Sequence, residues 1–320
     1  MLRKLAMILV AGLVIFAGAA FAQSGAPIKI VIAFPPGGPV DFVARILAQG
    51  LGEDLGRSVI VENRPGANGA ISAQAVAKSA PDGTTLWFTS AGAAVMNPAL
   101  YDSLTYDMQR DFEPVSLVVN NVEVLVVNPA NPATSVTELV AQSKQNPNPM
   151  PIASSGIGSM PHLAMELLAD SSGARLVHVP YKGAAPAITD VMGGQVSGFF
   201  GDIPGLIGFI RGGRLKPLGI AAPSRHPLLP DVRTLDEQGI HGVDSNNWYA
   251  LFAPANTRRT RIDDLNAAVR RVLTSESYRK RLLESGAEPM PSSPEQLAAL
   301  VKADTAKWGR IIRDKKIKGE

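Results

Sequence analysis

The residues of this chain best suited to chemistry are small rather than charged. Pro35-Pro36-Gly37-Gly38-Pro39 ends an apolar run and is followed at once by Val40, Asp41 and a helical pattern. Serine and glycine recur in Ser154-Ser155-Gly156-Ile157-Gly158-Ser159, and Tyr181-Lys182-Gly183 and Gly201-Asp202 close two further apolar runs. A strand that ends in a glycine-rich turn and restarts as a helix leaves unpaired backbone N–H groups and the positive end of a helix dipole above the turn. That arrangement suits a small anion, and its alternative is plain punctuation between two elements. The turn at Phe34–Asp41 has neither the Gly-Lys-Ser/Thr of a Walker loop nor the G-x-G-x-x-G of a dinucleotide fingerprint.

Enzymatic chemistry needs a base, a nucleophile or a metal. The four histidines, His162, His178, His226 and His241, are scattered, with no ligand pair at helical spacing. Cysteine is absent, which excludes disulfides, thiolate sites and a catalytic thiol. A hydrolase using Ser155 or Ser159 with His162 is the competing enzyme class, but no G-x-S-x-G elbow is present. His162 reads as a structural or ligand-touching residue and His178, inside a strand pattern, as a core residue. No catalytic residue, metal or cofactor is therefore expected.

The charged candidates each have two readings. Asp41 falls in a first helical turn, where an acid caps the helix or complements its dipole, or else meets a ligand. Lys182 either lies in solvent or turns into a cleft. Arg64 is expected to lock its loop to a carboxylate. Asp202 either accepts from a ligand hydroxyl or amine or caps the helix after it, with the cap favoured.

The elements that must position these residues repeat one grammar. Ile28–Phe34 is a β-branched strand, and Val43, Leu47, Leu51 and Leu55 then recur at helical spacing up to Gly56. Ser58–Glu62, the loop through Asn68, and Ala70–Ser79 repeat the pattern. The strand Thr84–Thr89 runs into the small cluster Ser90-Ala91-Gly92-Ala93-Ala94. Five strand–loop–helix units end at Pro39, Asn68, Ser159, Gly183 and Pro204. Alternation of this kind predicts an α/β fold with parallel strands, and ligands gather where loops leave the carboxyl ends of such strands. The β-rich runs Val115–Val119 and Val122–Val127 separate two clusters of units, as a hairpin or as a strand passing between lobes. The expected division is 23–118 with 225–320 in one lobe and 119–224 in the other. Arg261–Leu283 and a helix opened by the capping box Ser293-Pro294-Glu295-Gln296 end the chain.

The beginning reads as a leader. Arg3 and Lys4 precede the apolar run Leu5–Ala19, and Ala20-Phe21-Ala22 is a small-x-small cleavage site. Cleavage after Ala22 leaves 298 of the 320 residues and lowers the net charge from +3 to +1. A near-neutral exported chain without a basic stripe is not expected to bind nucleic acid. With no cysteine for a lipid anchor, the free periplasm is the expected address.

Longer words then carry a resemblance. F-P-P-G-G-x-x-D at Phe34–Asp41, V-E-N-R-P-G-A-x-G at Val61–Gly69, A-P-D-G-T-T-L at Ala80–Leu86 and N-P-A-L-Y at Asn97–Tyr101 stand in order. A-S-S-G-x-G at Ala153–Gly158, H-V-P-Y-K-G at His178–Gly183 and G-G-Q-V at Gly193–Val196 follow. Together they resemble the solute-binding receptors of tripartite tricarboxylate transporters, the Bug or TctC type. The resemblance implies a two-lobed, type II-like Venus flytrap with a mainly parallel sheet in each lobe. It implies a monomer that binds a small carboxylate and delivers it to membrane permease subunits; a membrane sensor kinase is the alternative partner.

By the same resemblance the ligand carboxylate is held at the loop containing Phe34, Pro36, Gly37, Gly38, Val40 and Asp41. Ser154, Ser155, Gly156 and Gly158, with His162, and then Tyr181, Lys182 and Gly183 close from the second lobe. Asn68, Ser90, Ala91 and Asp202 complete the candidate ligand-binding set. Pro39-Val40, Ala93-Ala94 and Ile157 are apolar where the family commonly offers polar groups, and Gly201-Asp202 replaces a usual polar pair. One carboxylate with an apolar, even aromatic, body is therefore expected, and citrate is expected to bind poorly.

Overall fold

The computed structural model describes residues 26–319, so the leader read at residues 1–22 lies outside the described residues. The chain opens with β1 (Ile28–Ile32) and α1 (Pro39–Leu55), then β2 (Val59–Asn63), α2 (Ala70–Ala77) and β3 (Thr85–Ser90). Period-two alternation sends Ile28, Ile30 and Ile32 to one face of the sheet and Val31 to the other. Helix α1 starts with Pro39 at a position whose N–H would have no helical acceptor, and ends at Gly56 in the left-handed region. Its apolar stripe, Val43, Ile46, Leu47 and Leu51, packs on the isoleucine face. The small-residue cluster after Ser90 winds into a π-helix at Gly92–Met96, followed by α3 (Asn97–Leu100).

The two β-rich runs are not a hairpin. Strand β4 (Phe112–Asn121) belongs to the first sheet and β5 (Glu123–Val127) to the second, so the chain changes lobe at Val122. The second lobe adds α4 (Val136–Gln145), β6 (Met150–Ser154), α5 (Met160–Ser172), β7 (Leu176–Pro180) and α6 (Ala184–Met192). It continues through β8 (Gly198–Asp202), α7 (Ile203–Arg211) and β9 (Lys216–Ile220). The return supplies β10 (Asn247–Pro254), α8 (Arg259–Thr274), α9 (Glu276–Ser285), β11 (Glu288–Pro289) and α10 (Pro294–Asp314). One helix was expected over Arg261–Leu283. The extended backbone of Ser275 (φ −66°, ψ 141°) divides it into α8 and α9.

The first sheet has the order β11-β4-β10-β3-β1-β2 and the second β7-β6-β8-β5-β9. The α/β architecture is as expected, but both sheets are mixed. Parallel pairing occurs where strand–helix–strand units repeat, at β1 with β2 and β3, and at β6 with β7 and β8. The strands at and after the crossings run the other way: β10 is antiparallel to β3 and β4, and β5 to β8 and β9.

Each sheet carries apolar layers on both faces. Leu235, Ile240 and Val243 pack into the second lobe's core with Leu125 and Phe200. We therefore place the division at residue 122 and near residue 246, beyond the expected boundaries of 118 and 224. Apolar side chains of the long returning segment settle against the nearer sheet, which local pattern does not reveal.

Candidate functional site

Asp41 organises the first loop. Its carboxylate accepts from the Gly37 N–H (3.0 Å), from Arg45 Nε and Nη2 (2.9 Å each) and from Asn63 Nδ2 (2.9 Å). Asn63 Nδ2 also donates to the Phe34 carbonyl (3.0 Å), so both ends of the loop are tied to β2 and α1. Burial alone would raise the Asp41 pKa, but the bonds from Arg45, Gly37 and Asn63 together hold it below the ordinary carboxylate value. Of the two readings of Asp41, the structure supports the capping and clamping one. Gly37 adopts φ +83°, a conformation that disfavours side chains, and the chain turns there into the helix. Arg64 pairs with Glu62, which also holds Lys29 at 2.8 Å, so it locks its own loop as expected.

The second lobe presents its loops through internal bonds. Ser154 is fully buried; its Oγ accepts from the Gly156 N–H (3.1 Å) and lies 2.6 Å from His178 Nε2. The His178 ring stacks on His162 with centroids 3.7 Å apart. Burial, then the neighbouring His162, push the His178 pKa down to about 4, which makes it a weak base. His162 accepts the Gly158 N–H at Nδ1 (3.0 Å) and turns Nε2 toward Glu166 (3.6 Å). Ser159 Oγ donates to the Gly156 carbonyl (2.7 Å). These serines and histidines are occupied in shaping the 154–162 turn. Tyr181 donates its hydroxyl to Asp190 (2.6 Å), and Lys182 is exposed, which is the solvated reading.

The lobes touch along the cleft. Asn68, in the left-handed region at φ +42°, donates Nδ2 to the Gly158 carbonyl of the other lobe (3.1 Å). At Gly183 (φ +112°) a Cβ would stand 2.7 Å from Pro35 Cδ, so only glycine permits this approach. Met160 and Leu163 of α5 join the core layer of the first lobe.

Between the lobes lies a cleft of about 560 Å³, its open mouth included. Of the expected residues, Phe34, Gly38, Val40, Ser90, Ser155 and Asp202 line it. The lining does not include Pro36, Gly37, Asp41, Asn68, Ala91, Ser154, Gly156, Gly158, His162, Tyr181, Lys182 or Gly183. Most of these hold the loops that do line it, as described above, and Ala91 is buried in the first lobe's core. Ala93 and Ala94 also point into the core below, and Ile157 is outside the lining, so the expected apolar wall is built from different residues. Val40 and Pro39 remain in it, joined by Met160, Ile188, Phe199 and Leu206. Helices α1, α5, α6 and α7 each contribute first-turn residues, namely Pro39, Pro161, Ala184 and Gly205. No lysine, arginine or histidine is among the lining residues.

Asp202 was expected to cap α7. It occupies the N-cap position but makes no side-chain capping bond. Its Oδ2 accepts from Asn247 Nδ2 (3.0 Å) and from the Tyr249 hydroxyl instead. Directly opposite in the β5–β8 ladder is Glu123, fully buried. Sequence reading missed Glu123 and Asn247. The one available signal was an acid standing inside the apolar run Val122–Val127.

The match to the family of tripartite tricarboxylate transporter receptors spans residues 43–317. The chain belongs to this family. It is 35% identical to the protein BugT of Bordetella pertussis over 289 residues, covering 90% of this chain and 89% of BugT. Among solved structures it is similar to Rpa4515 of R. palustris with adipate (TM-score 0.89, 32% identity, 92% of this chain and 99% of that one). It is also similar to MatC of Rhodopseudomonas palustris with bound malate (TM-score 0.84, 32% identity, 89% and 98%). Receptors of this family are periplasmic solute-binding proteins and not enzymes. The buried, internally bonded Ser154–His178 pair is accordingly part of a receptor's scaffold. Among the described residues no helix is long and apolar enough to cross a membrane.

Proposed function

We propose that this receptor captures a small carboxylate with one ionised end and a largely apolar body, and delivers it to the membrane subunits of a tripartite transporter. The observation that carries this reading is the composition of the cleft: four helix starts converge on it and no cationic side chain lines it. The first N–H groups of a helix lack intrahelical acceptors, and the dipole adds favourable potential there. Hydrogen bonds from amides to a charged acceptor contribute about 1.5–3 kcal/mol each. Serines 90 and 155 supply hydroxyls beside these amides. Phe34, Phe199, Leu206 and Ile188 offer an apolar surface to the remainder of the ligand. Bound adipate and malate in similar proteins support the carboxylate, and the leader read at residues 1–22 fits export to the periplasm.

The test is calorimetry with aromatic and branched aliphatic monocarboxylates, each beside its primary amide, and with citrate and aspartate. The apolar acids are expected to bind, and the amides to bind at least about tenfold more weakly, since ~1.4 kcal/mol is a factor of ten. Equal affinity for acid and amide, or tight citrate binding with no response to the apolar acids, would overturn the proposal.

A further inference from the structure

We infer that the hinge end of the cleft, at Asp202 and Asn247, is a subsite for a hydrogen-bond donor, an amine or hydroxyl, at the far end of the ligand carboxylate. The inference rests on the receptor reading above and narrows its ligand class. Asp202 and Asn247 both line the cleft and are each 5% exposed. One N–H of the Asn247 amide and the Tyr249 hydroxyl both donate to Asp202 Oδ2. Asp202 Oδ1 and Asn247 Oδ1 are buried and accept nothing from the protein. Asp202 and Asn247 therefore each bring one buried, unpartnered acceptor oxygen to the lining of the cleft.

The groups behind this wall reinforce its character. Neither Glu123 oxygen makes a well-formed hydrogen bond, with only the Ser245 hydroxyl beside them, although the side chain is fully buried against Asp202. Two carboxyls so placed retain a proton between them, because burial penalises both charges and each charge penalises the other. The donors converging on Asp202 mark it as the member that ionises, and Glu123 as the one that stays neutral. Burial accordingly holds Glu123 well above its ordinary pKa and raises Asp202 to about 7.

An unpaired buried acceptor is costly, and a site built around it favours ligands that supply the missing donor. A second ligand carboxylate would bring only acceptors and negative charge to the same place, with no lining cation to offset them. The carboxylate thus belongs at the helix starts and the donor at the hinge.

The experiment is calorimetry on benzoates carrying a para methyl, hydroxyl, amino or carboxylate group, and on linear six-carbon acids with the same four ends. Wild type is expected to bind the hydroxyl- and amino-ended members at least about tenfold more tightly than the methyl- and carboxylate-ended ones. Asp202→Asn keeps the side-chain size and adds a donor, so it should narrow that gap by at least about tenfold and admit the dicarboxylates. Affinities that ignore the far end would overturn this inference while leaving the receptor reading standing. A preference of wild type for carboxylate-ended acids would overturn both this inference and the single ionised end proposed above. An unchanged ranking in Asp202→Asn would overturn it too. Silence from every acid would overturn the receptor reading and the subsite with it. The wild-type series stands alone should Asp202→Asn fail to fold.

Discussion

Glu123 on β5 and Asp202 on β8 have pKa values moved in the opposite direction to that of Asp41, and the difference is testable at the level of single residues. The groups packed against the pair are Tyr249 and Asn247 on β10 and Ser245 just before it; none is cationic. In the unfolded chain both carboxyls titrate near pH 4. Above that pH the unfolded state releases protons that the folded pair keeps, so the pair's contribution to stability is fully present below about pH 4 and declines as pH rises. The decline from Asp202 ends once it ionises in the folded state, at about 7. Its slope approaches ~1.4 kcal/mol per pH unit for each carboxyl. Urea unfolding from pH 4 to 7 should show wild type losing stability relative to Asp202→Asn. A constant difference would mean that the pair carries no such proton. Asp41 behaves conversely: its bonds to Arg45, Gly37 and Asn63 stabilise the fold above about pH 4, and the benefit is lost on acidification.

Among the elements, the loops at helix starts do two kinds of work. The Phe34–Asp41 turn is rigid before any ligand arrives, because Asp41 and Asn63 fasten it from both sides. The Tyr181–Gly183 turn instead meets Pro35 of the opposite lobe, and Gly183 is where a side chain would collide. Gly183→Ala should therefore hold the lobes apart and weaken ligand binding by at least about tenfold. Gly56→Ala is the control, since Gly56 is also left-handed at φ +59° but faces open space beyond α1. It should cost about 1–2 kcal/mol of stability through backbone strain alone and leave affinity unchanged. If both variants bind as wild type does, the Pro35–Gly183 contact has no part in closure.

At the scale of the whole molecule, two sheets with separate core layers are joined by Val122 and by the segment that enters β10 at Asn247. Few backbone connections between two packed bodies make a hinge. The contacts that span the cleft include Asn68 to Gly158, Pro35 to Gly183, Asn247 and Tyr249 to Asp202, and α5 against the first lobe's core. These describe a closed arrangement. A ligand that bridges the lobes adds contacts only in that state and draws the population toward it. Small-angle scattering is expected to show a smaller radius of gyration with saturating ligand than without, and the bound profile should match the closed arrangement. Identical profiles with a ligand verified by calorimetry would rule out hinge closure.

Local sequence determined much of this. Period-two and period-3.6 patterns define β1 and α1, glycine and proline mark the loops, Ser293 and Gln296 form the expected capping box, and the ordered family words identify the receptor. The loops that line the cleft were legible for the same reason, because a strand–glycine turn–helix unit exposes its turn wherever it is placed. What the sequence left open depends on contacts between residues far apart in the chain. Whether Asp202 caps α7 or faces Asn247 and Tyr249 is decided by β10, which arrives 45 residues later. Ala93, Ala94 and Ile157 lie near the cleft in sequence, yet the winding of the π-helix and the turn at Gly156 keep them out of its lining. Phe199 and Leu206 take that role because β8 and α7 pack across the opening. Side-chain direction at a cleft follows from which elements pack together, and only the tertiary structure sets that.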